Sequence, residues 1–151
     1  MPLYHVLAIL EFIFLFFFYR SIFNFTLPLA LGVAIVGINI YNSLFIQCYL
    51  EFNSIAWSIN TIFLMAFGLL YLYQLYRESE SSLPILTRHS LFIINSGFLL
   101  YFAGSLFTYL LGANILSKEA IGFFHNGWII QCFANIIRNT LVGYGLWIAR
   151  K

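Results

Sequence analysis

The sequence predicts an all-α fold, an integral membrane bundle of about five transmembrane helices, with the N-terminus outside and the C-terminus cytoplasmic. Three observations predict it. Apolar residues make up 62% of the 151 positions and charged residues only 8%, where a soluble domain carries roughly a quarter charged. The apolar residues form long continuous runs rather than the short alternating segments of a β-barrel. The basic residues between those runs are unevenly divided. So few ionised groups do not clothe a water-exposed surface, and lipid must cover much of it.

A helix needs about 20 residues to cross the hydrocarbon core, and five runs reach that size: Leu3–Ile22, Leu27–Gln47, Ile55–Tyr76, Leu91–Leu111 and Phe123–Ile148. They make one domain, with no internal repeat and no linker long enough to divide it. The first run starts at the N-terminus without a basic leader or a small-residue cleavage site, so no signal peptide is expected. It carries Glu11 at its centre. A central charge costs about 2.5–3.5 kcal/mol, but the apolar residues of positions 3 to 23 offset it by on the order of 6 kcal/mol. The second run follows a break at Asn24–Pro28, with Pro28 suited to a first helical turn. It holds Asn39, Asn42, Ser43 and Gln47 on one polar face.

The turn Glu51-Phe52-Asn53-Ser54 precedes the third run, with Ser54 a candidate N-cap. Ser54, Ser58 and Thr61, with Asn60 adjacent, mark that helix's inward stripe. Residues 77–84 form the one sizeable hydrophilic loop, and Arg88 and His89 are placed before the fourth helix. In the fourth run Gly97, Tyr101, Ser105, Thr108 and Gly112 line up, with Gly104 alongside. Small residues at helical spacing let backbones approach closely in lipid.

The fifth run is the least apolar. Its strongly apolar residues offset only about 4–5 kcal/mol, and Arg138 alone cancels more than half of that. It is a poor independent spanner unless its polar residues face protein. Gly127, Gln131, Asn135 and Arg138 recur at spacings of four, four and three, one helical face. That stripe is expected to look inward.

With five crossings, Arg20, Arg77, Arg88, Arg150 and Lys151 fall on one side and Lys118 on the other. Short cytoplasmic loops are enriched in Lys and Arg, which sets the orientation.

Glu11, Asn39, Asn42, Gln131, Asn135 and Arg138 are therefore the candidate intramembrane polar site. At 1.5 Å per residue, Glu11 sits roughly 12 Å and Arg138 roughly 22 Å below the outer boundary. An ion pair between them requires the arginine to bend outward; structural glue and snorkelling of Arg138 are the rival readings. His5 and His125 fall near the outer helix ends, without the short fixed spacing of a metal site. Cys48 and Cys132 lack ligand spacing as well and are read as buried apolar thiols. The abundant Phe and Tyr are read as packing in a chain from an AT-rich genome. Nothing in the composition points to nucleic acid, the net charge being only +2. No nucleophile–base arrangement or phosphate loop appears, so neither an enzyme nor a cofactor is expected.

The segments LFIINSGFLLYFAGSLFTYLL (Leu91 to Leu111), WIIQCFANIIRNTLVGYGLWIARK (Trp128 to Lys151) and LYHVLAILEFIFLFFFYRSIF (Leu3 to Phe23) resemble uncharacterised multi-spanning membrane proteins of Bacteroidota. They are similar to the membrane-embedded N-terminal region of some sensor histidine kinases from that phylum. The resemblance implies residence in the bacterial inner membrane and a sensory role. It also implies further helices before the first one here, so Met1 is expected to begin a shortened version. The sequence ends at Lys151 before any dimerisation helix or ATP-binding domain, so either coupling to a separate protein or a fragment of a longer one is expected, and no catalytic residue carries over. The expected function is a non-catalytic sensory or accessory subunit contacting the bilayer and a partner protein or further copies of itself. The alternative is an oligomeric transport or pore-forming component.

Overall fold

The computed structural model describes residues 2–23, 25–47, 53–77, 85–115 and 121–150. All regular structure among them is helical. The elements are α1 (Pro2–Ile22), α2 (Leu29–Tyr41), a π turn (Asn42–Ile46) that continues α2, α3 (Ser54–Arg77), α4 (Ile85–Ile115) and α5 (Ile121–Ala149). Four of them are long and apolar enough to cross a membrane: α1, α2 together with its π turn, α3 and α4. In lipid a helix is the one open-chain conformation that satisfies its own backbone. The sequence departs from an apolar cylinder only along narrow stripes.

Helices α4 and α5 form the most extensive pairing, α3 packs along α4, and α1 lies against α3 with α2 beside it. Small residues set the α4–α5 approach. A Cβ added at Gly104 would stand 3.0 Å from the Ala134 Cβ, and one at Gly97 would stand 3.0 Å from the Leu141 Cβ. The α1–α3 side is aromatic. Phe16 and Tyr19 both pack on Phe67, with ring centroids 6.2 and 6.0 Å apart, and Phe23 meets Tyr71 at 6.3 Å. Phe14, Phe45, Tyr73, Phe133, Ile136 and Trp147 point outward, an apolar exterior suited to acyl chains.

Five details differ from the sequence expectations. Pro28 is the cap rather than a first-turn residue, with φ −64° and an extended ψ of 127°. The cap of α3 is Asn53, whose carbonyl accepts the Trp57 N–H at 3.2 Å, and the Ser54 hydroxyl turns to Gln47 instead. The second run is not one regular helix, because the Gln47 N–H bonds to the Asn42 carbonyl five residues back, the π pattern.

Arg88 and His89 lie within α4 rather than in a loop. At 31 residues that helix is about 46 Å long, longer than the ~30 Å hydrocarbon core, so its first turns have room beyond the apolar layer. Cys132 is exposed on α5 rather than buried. Cys48, Lys118 and Glu119 lie outside the described residues.

Candidate functional site

The polar residues gather at the end of the bundle where α1 and α3 begin. The wide π turn brings Asn42 and Ser43, adjacent in sequence, both into the interior. His5 Nδ1 and Ser43 Oγ share a 2.8 Å hydrogen bond, tying α1 to the π turn. The Asn42 side-chain amide donates to Asn53 Oδ1 at 2.8 Å and to Gln47 Oε1 at 3.1 Å. The Gln47 amide donates to Ser54 Oγ at 3.0 Å. One turn deeper, Asn39 donates to Asn60 Oδ1 at 2.7 Å, and Asn60 donates to the Ala8 carbonyl at 2.9 Å. Three helices are thus joined by amides that lipid would leave unpaired, and the polar face of α2 is accounted for.

The α5 stripe is received differently. The Arg138 guanidinium stands over the Tyr101 ring, 4.2 Å from its centroid, and Nη1 reaches Glu11 Oε1 at 3.3 Å. A cation on an aromatic face is stabilised by the ring quadrupole, so Tyr101 fills the gap between α5 and α1. The Tyr101 and Tyr109 hydroxyls are 3.2 Å apart, and the Gln131 amide donates to Tyr109 Oη. The Glu11 and Arg138 side chains remain 24% and 21% accessible.

Helix α3 connects the two groups. Asn53, Trp57 and Asn60 follow one another at spacings of four and three, on one face. The Trp57 ring packs on Tyr109 with centroids 5.2 Å apart. Side-chain contacts therefore link Asn42 to Asn53 and, as a separate chain, Trp57 through Tyr109 and Tyr101 to Arg138 and Glu11, the two groups being joined through the backbone bond of the first turn of α3. In these two groups Asn39 Oδ1, Asn42 Oδ1, Asn53 Nδ2, Trp57 Nε1 and Gln131 Oε1 have no hydrogen-bond partner among the described residues. Buried polar groups in native proteins are nearly always paired.

Of the residues proposed from sequence, Glu11 and Arg138 meet directly, Asn39 and Asn42 face α3, and Gln131 faces α4. Asn135 is half-buried and donates only within α5, to the Gln131 carbonyl at 3.2 Å. His5 is buried against Ser43, while the side chain of His125 lies outside the described residues. Among those residues, no three His, Cys, Asp or Glu side chains converge as metal ligands would. Sequence reasoning missed Asn53, Trp57 and Tyr109 as site residues. The α3 spacing was available as a signal; nothing local marks Tyr109.

The stagger of the helices narrows the offset in depth expected between Glu11 and Arg138. Trp57, near the start of α3, packs on Tyr109, well short of the α4 end at Ile115. The α4–α5 hairpin therefore extends beyond the start of α3, and depths counted from each helix start share no common origin. No protein-family model, curated protein or solved structure matches this chain.

Proposed function

We propose that this chain is a non-catalytic sensory or accessory subunit of the bacterial inner membrane. It crosses five times, with α5 as the fifth span, the N-terminus outside, and a cytoplasmic end that couples to a partner protein. The observation that carries the reading is the Glu11–Arg138 contact. It joins α1 to α5, two helices that share no extended packing among the described residues. Charged residues at mid-helix are expensive in lipid and mark functional sites by default. A pair whose side chains stay at most about a quarter accessible has two arrangements, closed across Tyr101 or parted and separately solvated. Protonation of Glu11, or an amphiphile competing for Arg138, favours the second.

The five-crossing reading of α5 rests on its partner. Its polar stripe faces protein, and it lies along α4, which has the length and apolarity to span. The resemblance to sensor membrane regions points to the same role.

Spin labels at Ser21→Cys and Trp147→Cys, in a background lacking Cys48 and Cys132, report the α1–α5 separation in nanodiscs. The wild-type distance distribution is expected to be bimodal and to respond to acidification. Glu11→Gln and Arg138→Leu are expected to fix it in the parted form. A single distance common to all three proteins at every pH removes the basis of the reading. Mass determination in mild detergent separates the alternative: a closed homo-oligomer supports a transport or pore component, and co-purification of a different protein supports the subunit.

A further inference from the structure

Helix α5 buries one narrow face and leaves the rest open. Gly127, Gln131, Ala134, Gly145 and Ile148 are buried, while Cys132, Ile136, Asn139 and Gly143 are all exposed. Those four recur at spacings of four, three and four, so they share a face and repeat with the period of a helix–helix seam. Asn139 is the member that contact with lipid does not explain. It stands about 15 Å from the Ala149 end of α5, half the depth of a ~30 Å hydrocarbon core. Its Oδ1 accepts from Arg138 Nε at 3.3 Å, and its amide NH2 has no hydrogen-bond partner among the described residues. An amide donor left unpaired in hydrocarbon is costly. One turn further, nothing stands within 4 Å of a Cβ added at Gly143, so a neighbouring backbone can come close there.

We propose that this face of α5 pairs with the same face of a second copy of the chain, an inference that rests on α5 being the fifth span. Polar complementarity selects the occupant. Copies inserted with one topology run parallel, so the same residue lies at the same depth in each. An asparagine side chain carries both donors and an acceptor. Across a two-fold axis each Asn139 donates to its twin and accepts from it. A second copy is the one partner that brings an amide to this height by symmetry alone, and a single asparagine in a helix seam fixes its register. Such an interface is isologous and closes at two copies, unlike the ring that a pore requires.

Cys132 lies one heptad before Asn139, at the same place in the seam's repeat, and so reports on the pair directly. In the full chain carrying Cys48→Ser in liposomes, a thiol oxidant is expected to join Cys132 to Cys132. With Cys48→Ser, Cys132→Ser and Ile137→Cys together, the one thiol sits at an exposed position off the seam, and little joined product is expected. Equal yields from the two positions would indicate random collision and overturn the proposal. Energy transfer between labelled chains across a lipid-dilution series reads the dissociation constant. Asn139→Leu is expected to raise it about fivefold, the contribution of an interhelical hydrogen bond, and Asn139→Gln, which keeps the amide, to retain most of the pairing. Gly143→Leu, unopposed within its own chain, is expected to weaken pairing with helix content unchanged. Wild type that stays single at every dilution overturns the proposal, as does an Asn139→Leu constant equal to that of wild type. The spanning of α5 is read separately, because a thiol at position 137, about 18 Å from the Ala149 end, is closed to a charged maleimide in lipid. Protection there in a chain that does not pair sinks the pairing alone, and modification sinks the five-crossing reading with it.

Discussion

Arg138 and Glu11, separated by 127 positions in the chain, meet at 3.3 Å with the Tyr101 ring beneath the guanidinium. Neither residue's own helix supplies that partner. The contact depends on α4 holding an aromatic face between α1 and α5 at the matching height.

The pair should be energetically coupled but modestly so. A double-mutant cycle with Glu11→Gln and Arg138→Met, read from unfolding in mixed micelles, is expected to give a coupling of about 1 kcal/mol. The partial exposure of both side chains keeps it from being larger. Additive single mutants would show the contact to be incidental.

The small residues between α4 and α5 should be intolerant in proportion to what faces them. A Cβ at Gly145 would lie 3.1 Å from the Ser90 carbonyl oxygen, whereas nothing stands within 4 Å of one at Gly143. Gly145→Leu is expected to destabilise the bundle by about 1–3 kcal/mol, and Gly143→Leu by less than about 0.5 kcal/mol. Thermal unfolding in one detergent compares them directly. Equal losses would contradict the packing described.

Asn39 and Asn60 should behave as a couple. Asn39→Leu leaves Asn60 Oδ1 without its donor in the interior and is expected to cost about 1–2 kcal/mol. Replacing both by leucine is expected to recover part of that loss, since two apolar groups of similar size leave no orphan. Stability of the double variant below that of Asn39→Leu alone would assign Asn60 a separate role, through its bond to Ala8.

Orientation is open to a direct measurement. Epitope tags on the two termini, probed in intact and permeabilised cells, should be found on opposite faces, with the N-terminal tag alone reachable from outside. Both tags in one compartment would require an even number of crossings, and α5 would then not span.

Much of the polar site was legible because each residue advertised itself locally. An amide or a charge inside an apolar run must turn from lipid, and helical spacing tells which residues turn together. That reasoning placed Asn39, Asn42, Gln131 and Arg138 on inward faces, and all four are fully or partly buried. Ser43, read onto the same face, is buried as well, the π turn carrying it inward beside Asn42. The reasoning failed outside the helical runs, where the cap at Asn53 supplies a partner that a turn residue was not expected to offer. Tyr109 escaped notice because a tyrosine in an aromatic-rich span carries no signal of its own until Gln131 and Trp57 are placed against it.

The sequence by itself determined that four of these helices are long and apolar enough for lipid and which residues would turn from it, because transfer free energy and periodicity are properties of one segment at a time. Only the tertiary structure decided who meets whom. The stagger and rotation of one helix against another are set by contacts such as Gly104 on Ala134 and Trp57 on Tyr109, and those belong to pairs of helices rather than to either one.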